Sequence, residues 1–262
     1  MVKRSVVLFC GLLLVVGIMG APGLARADWD EGDSAMWVQL PDLTNNGVDV
    51  KGYLADDFQC TVTAPITGIH LWGSFSDDVL PTNIFFELQI YNDSKGPYMP
   101  PGETPWVKYF DPGTYSSRLY ATVSSPGEYF WEPGKEYSHD TKVYQFNFSI
   151  DPTEAFVPQA DTIYWLVVVT DSDTFGWKTC NPKSSNLLAD AVWWNTDDWE
   201  RLVYFPGHPY SEPPEGMNIA FVLTPIPGAF WLLGSGLLGL TGMGWRRKSS
   251  RTRAYRTNRE KA

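Results

Sequence analysis

A two-residue rhythm, broken at short intervals by turns, is the feature that most limits the folds open to this chain. In ITGIHLWGSF it sets Ile69, Leu71, Gly73 and Phe75 on one face and His70, Trp72 and Ser74 on the other. In IFFELQIYND, Ile84, Phe86, Leu88 and Ile90 oppose Phe85, Glu87, Gln89 and Tyr91. In VYQFNFSI, Tyr144, Phe146, Phe148 and Ile150 oppose Gln145, Asn147 and Ser149. Side chains of an extended strand alternate between faces, so each run predicts a strand with one face in a core and the other in solvent. TIYWLVVVTD departs from the rhythm, being apolar on both faces from Ile163 to Val169, as a centrally placed strand requires. MNIAFVLT supplies a last strand. Between the runs lie NDSKGPYMPPGETP, DPGTYSS, SSPGEY, EPGKEYSHD and PGHPYSEPPEG, with Pro or Gly where the chain must reverse. About ten to twelve strands at this spacing predict an all-β fold, a jelly-roll-like two-sheet β-sandwich over residues 28–224.

The two ends obey different rules. Lys3 and Arg4 precede the apolar run SVVLFCGLLLVVGIMG, and Ala25, Arg26 and Ala27 follow as an A-x-A site, so residues 1–27 are expected to be a cleaved signal peptide that takes Cys10 with it. Near the other end, Ile226–Trp245 is a stretch of 20 residues without a charge. As a helix it is about 30 Å long, the thickness of a bilayer's hydrocarbon core, and a single transmembrane helix is predicted over 226–245. Arg246, Arg247 and Lys248 follow at once, and positive charge beside a span keeps that side in the cytoplasm. Residues 249–262 are then a basic cytoplasmic tail. The chain is expected to enter the Sec export machinery by its N-terminus, send its middle across the inner membrane and halt on the second apolar segment.

TPIPGAFWLLGSGLLGLTGMGWRRK resembles the C-terminal sorting signal of the PEP-CTERM class, in the variant whose core reads approximately V-P-L-P-A. A Pro-containing motif, an apolar span and an Arg-rich end carry the likeness over residues 225–248, with Thr224 where Val is usual and Gly228 where Ala is commoner. The resemblance implies recognition at Pro225, Ile226, Pro227 and Gly228, cleavage nearby, and processing by an exosortase-type transpeptidase, after which the protein resides in the cell envelope or outside the cell. YLADDFQC, PITGIHLWGSF, IYWLVV, FGWKT, DAVWW and MNIAFVL are together similar to an uncharacterised family of secreted bacterial β-sandwich domains. That second resemblance implies the fold and no activity.

Charge is distributed as these ends require. Of 20 basic and 30 acidic residues, three basic ones lie in 1–27, and eight basic and one acidic lie beyond Trp245, leaving 9 against 29 between them, a net of −20. Such a domain repels phosphate backbones, which argues against nucleic acid as a partner. Cys60 and Cys180, the cysteines that remain after export, are expected to bridge in an oxidising compartment, the alternative being two buried thiols.

Three groups of residues are candidates for chemistry. TDSDTFG presents Asp171 and Asp173 as alternate carboxylates, the pattern of a weak structural calcium loop, against the alternative of a solvated acidic surface. Tryptophans Trp72, Trp193, Trp194 and Trp199 are candidates for a platform on which sugar rings stack, with Asn195, Asp197 and Asp198 nearby to meet hydroxyls. Paired carboxylates for glycoside hydrolysis cannot be picked out where acids are so abundant. No nucleophile elbow, HExxH, P-loop or dinucleotide motif is present, and His70, His139 and His208 stand in no catalytic spacing. The expectation is a non-enzymatic, cofactor-free protein of the cell surface or extracellular matrix, with a carbohydrate-binding module for exopolysaccharide as the alternative.

Overall fold

The computed structural model describes residues 28–93, 103–181, 187–211 and 215–225. The expected signal peptide, spanning helix and tail lie outside them, as do Ile226, Pro227, Gly228, Arg246, Arg247 and Lys248 of the sorting signal. Among the described residues there are fifteen strands and no helix, and the strands, numbered along the chain, form two sheets packed as a sandwich. The smaller sheet holds β3 (Leu54–Gln59), β5 (Phe86–Asn92), β6 (Trp106–Phe110), β11 (Ile163–Thr170), β13 (Val192–Asn195) and β14 (Asp198–Arg201), in the order β14-β13-β3-β11-β5-β6 with every pair antiparallel. As its two-sided apolar composition predicts, β11 lies in the middle.

The larger sheet is built on β4 (Ile66–Phe75). One edge of β4 pairs with β10 (Lys142–Ser149), which pairs in turn with β7 (Ser116–Thr122). The other edge is shared. Its first half takes β15 (Phe221–Pro225), with β1 (Trp37–Gln39) beyond, and its last residues take β12 (Phe175–Lys178). From β12 the sheet continues through β2 (Val48–Val50) and β8 (Glu128–Trp131), its one parallel pair, to β9 (Ser138–Asp140). Gly73 sits where β12 comes alongside; a Cβ there would lie 2.5 Å from the carbonyl oxygen of Gly176.

Between the sheets the alternating residues interlock. Phe86 is the hub, with the rings of Tyr115, Phe146, Phe148 and Phe175 at 5.2, 5.3, 5.2 and 5.5 Å, mostly edge to face. Ile69, Leu71 and Phe75 from β4 meet Leu88, Ile90, Leu166 and Val168 from the smaller sheet in the same cluster. Each such ring pair adds about 0.5–1.5 kcal/mol to what burial alone supplies.

Two expectations need correction. His70, Trp72, Ser74, Gln145 and Asn147, assigned to a solvent face, are all buried. The first residues after position 27 cross that face as a strap. Trp29 sets its ring against Trp72 at 5.9 Å and 84°, its carbonyl accepts from Gln145 Nε2 at 2.8 Å and from Arg118 at 3.0 Å, and Asp28 accepts from Asn147 Nδ2 at 2.9 Å. Nor are Cys60 and Cys180 bridged. Both are free and buried, Cys60 in the cluster between the sheets and Cys180 in the one beneath the strap on the far side of the larger sheet.

Truncating the hub tests this account of the core. Phe86→Ala is expected to lower unfolding stability by about 3–5 kcal/mol, read as a drop in urea midpoint at unchanged m-value.

Candidate functional site

The exposed face of the smaller sheet carries a row of aromatic and hydrogen-bonding side chains. It starts at the hairpin β13–β14, whose turn runs through Thr196 at φ +55°, the left-handed backbone that a two-residue hairpin loop demands. That register sets Trp194 opposite Trp199, with ring centroids 5.6 Å apart at 77°. Tyr53, one residue before β3, stacks on Trp199 at 5.1 Å and 27°, and its carbonyl holds the Trp194 N–H at 2.9 Å. Trp194 is 39% exposed, while Trp199 and Tyr53 are half-buried and fixed by their neighbours.

Polar groups continue the row. Tyr53 Oη donates to Gln89 at 3.3 Å and Gln89 Nε2 donates to Glu87, whereas the pair Asn195–Glu200, at 2.6 Å, has the parity of Trp193 and lies on the opposite face. Opposite Glu87 on β6 stands Tyr109, 61% exposed and stacked on Phe85 at 6.0 Å. From β14 to β6 the row crosses six strands, about 24 Å at ordinary strand spacing. Flat rings interspersed with amides and carboxylates are the chemistry that holds a sugar chain, the rings taking its apolar faces and the polar groups its hydroxyls.

Only Trp194 and Trp199 of the four tryptophans singled out in the sequence meet in this row. Trp72 lies on the other sheet, wholly buried under Trp29 and Tyr120, and has no ring face to offer a sugar. Trp193 points inward against the core, because neighbouring residues of a strand face opposite ways. Tyr53, Gln89 and Tyr109 were missed, although Tyr53 shares the parity of the outward Ala55 and Asp57. Asp171 and Asp173 do not converge either. Asp171 accepts the Phe85 N–H at 2.9 Å, while Asp173 lines a surface pocket of about 260 Å³ beside Lys51, Glu132, Lys135 and Tyr137. The pair Asp56 and Asp57 is split between faces. Asp56 lies in the interior, accepting N–H bonds from Ile219 at 2.6 Å and from Asp57, while Asp57 accepts from Ala189 at 3.1 Å, its carboxyl pushed up to about 7 by burial.

A second group was not legible at all. Lys178 on β12, Asp49 on β2, Glu128 on β8 and Asp140 on β9 occupy four successive strands on the far face of the larger sheet, and all are buried. The Lys178 ammonium pairs with Asp49 at 3.1 Å and with Glu128. Burial opposes its charge, but the carboxylates around it raise its pKa above the ordinary lysine value. Burial, aided by mutual repulsion, pushes Glu128 up to about 8 and Asp140 up to about 10.

The loop Asp42–Gly47 roofs this group. Gly47 has no side chain because a Cβ there would lie 2.5 Å from Lys178 Nζ and 2.9 Å from Glu128 Oε2. Asn45 ties the loop to the carbonyls of Ser124 and Gly127, and the Asn46 carbonyl accepts from His208 Nε2 at 3.0 Å. His208 Nδ1 accepts from Tyr210 N–H at 3.2 Å, so the ring is a neutral Nε2–H tautomer with both nitrogens used, stacked on Tyr204 at 4.5 Å.

Residues 35–224 match the model of a family described as a domain of unknown function, DUF7901, a span that runs from before β1 to all but the last residue of β15. The chain belongs to the DUF7901 family. No curated protein and no solved structure matches this DUF7901 chain. Its site chemistry therefore rests on its own geometry.

The roof makes a test possible. Burial lowers the His208 pKa to about 4, below its unfolded value, so its contribution to stability is complete above about pH 6.5 and is lost as pH falls towards 4. An NMR titration is expected to show the His208 ring neutral down to about pH 4; a midpoint near 6.5 would contradict the assigned tautomer.

Proposed function

We propose that this jelly-roll-like sandwich is exported cargo: a non-enzymatic surface or matrix protein whose signal peptide is removed after Ala27 and whose C-terminal segment is handed to an exosortase. Supporting this is the way β15 runs straight into the sorting signal. Pro225, the first residue of the implied recognition motif, is also the last residue of β15, in register with Ile66. A folded domain that ends where the recognition motif begins can stay intact while everything after the motif is exchanged for an anchor. A non-enzymatic role is supported by the histidines and thiols. His70 is held by Asn147 at 2.7 Å, His208 is locked as described, and His139 packs against Tyr129. Burial pushes the Cys60 thiol up to about 12 and raises that of Cys180 too, away from the thiolate a nucleophile needs.

A second reading is favoured by the row from Trp199 to Tyr109: within the matrix, the domain binds polysaccharide. Rings fixed by stacking lose little freedom on binding, and an acidic domain is suited to neutral or cation-bridged chains rather than to bare polyanions.

Intact-mass measurement on the protein from its native host tests the first reading. The expected chain starts at Asp28 and lacks the residues beyond the sorting motif; a mature chain that still carries Arg246, Arg247 and Lys248 overturns exosortase processing. Affinity electrophoresis through neutral and acidic polysaccharide gels tests the second. Trp194→Ala is expected to weaken retention roughly two- to tenfold, at about 0.5–1.5 kcal/mol for a lost ring contact, with only a small drop in unfolding midpoint from the lost Trp199 contact. Absence of retention on every gel removes the binding reading and leaves the first untouched.

A further inference from the structure

The group around Lys178 has more carboxyl oxygens than its own residues satisfy. Asp49, Glu128 and Asp140 bring carboxylate oxygens within 4.8 Å of one another. Lys178 engages one oxygen of Asp49 and one of Glu128. Oε1 of Glu128 and both oxygens of Asp140 are closed off from solvent and have no hydrogen-bond partner. Asp140 is only 2% exposed, and it faces Glu128 across the β8–β9 pair, so its carboxyl is aimed into the group. Buried polar atoms are almost always paired, and a buried carboxyl with neither oxygen used calls for a partner. Asp42, also buried, adds further negative charge from the roof.

We propose that Asp49, Glu128 and Asp140 form a structural site for one calcium ion, with Lys178 as its fixed counter-charge. With the ion bound, three ionised carboxylates beside one ammonium carry two net negative charges, which a divalent cation offsets, with Asp42 adding attraction from the roof. One oxygen from each of the three can meet at a calcium ion at about 2.3–2.6 Å, with the second oxygen of Asp140 beside it; calcium takes six to eight oxygens, so backbone carbonyls or enclosed water complete the shell. Magnesium, which needs a near-ideal octahedron at about 2.0–2.1 Å, suits this irregular set of oxygens less well. Closure is built in. Gly47 brings the roof down onto Lys178 and Glu128, and a Cβ on Gly127 would strike the Asp140 carbonyl, so the chain is drawn tight on two sides. Asp49, Lys178 and the β8–β9 pair come from three separate parts of the chain, so the ion is bound as the sheet forms and clamps β2, β8 and β9 beside β12. This site is separate from the Asp171–Asp173 turn and independent of the polysaccharide reading.

The test uses the full chain in detergent, unfolded in urea and refolded either with calcium chloride or with chelator, because a closed site exchanges poorly in the folded state. Elemental analysis after dialysis is expected to find about one calcium per chain, and melting to rise by roughly 5–10 °C at free calcium about 100 times Kd. Asp140→Asn is expected to abolish stoichiometric calcium while melting no lower than the parent in chelator, since neither Asp140 oxygen makes a hydrogen bond that the substitution would break. Asp171→Asn with Asp173→Asn keeps the ion. If Asp140→Asn does not refold, Glu128→Gln serves in its place. A parent chain that refolds in calcium without stoichiometric ion and with unchanged melting overturns the proposal, its carboxyls having shed their charge by holding protons. Retention of the ion by Asp140→Asn, or its loss from the Asp171/Asp173 variant, overturns it equally.

Discussion

Strand β4 is the constraint on which the rest of this sandwich depends. It is ten residues long, and its backbone groups are buried on both edges, so all of them need partners. A single continuous neighbour, β10, satisfies one edge, but the other is divided between β15 and β12. Through its two edges β4 joins three remote parts of the chain in one sheet: the final strand, the short strands carrying the acidic group, and the pair β10–β7. One half of β4 is not completed until residues 221–225 arrive, so the larger sheet closes only after nearly the whole domain is available. Long-range pairing of this kind makes completion late as well as slow.

How far the sequence was legible follows from how local each interaction is. The rhythm in residues 66–75, 84–91 and 144–150 correctly separated inward from outward side chains, because alternation is a property of the strand itself. It did not reveal that the outward set on β4 and β10 is buried. That burial comes from Trp29, over forty positions from Trp72, and nothing in a strand's own residues announces a strap from elsewhere. The same rhythm, applied to DAVWWNTDDW, separates Trp193 from Trp194; reading the tryptophans as a cluster by proximity in sequence obscured it. The acidic group was beyond reach for another reason. Strands β2, β8, β9 and β12 have three or four residues each, too few for alternation to show, and each contributes one member.

The outer faces of the two sheets have opposite characters. On the larger sheet the strap, the roof loop and the β7 side cover tryptophan, histidine, amides and charges so fully that the face behaves as a second core. On the smaller sheet the face stays open along the row from Trp199 to Tyr109, with only Trp165, Val167, Val192 and Ala55 submerged beneath it. Occlusion of one side and exposure of the other give the domain a direction.

Retaining four ionisable groups in a row is costly, since an apolar core of the same volume is often as stable or more so. What the row supplies is register. The pairs β12–β2, β2–β8 and β8–β9 are short, and one of them is parallel, so few hydrogen bonds oppose a slip. A slip of one residue in β2 would turn Asp49 towards the aromatic interior and bring Val48 or Val50 against Lys178, stranding an ammonium and a carboxylate at once. That penalty far exceeds what the few ladder bonds supply. Charge thus specifies the pairing where the apolar pattern is too brief to do so, and the same four side chains that fix the register are those that enclose the unsatisfied oxygens of Asp140.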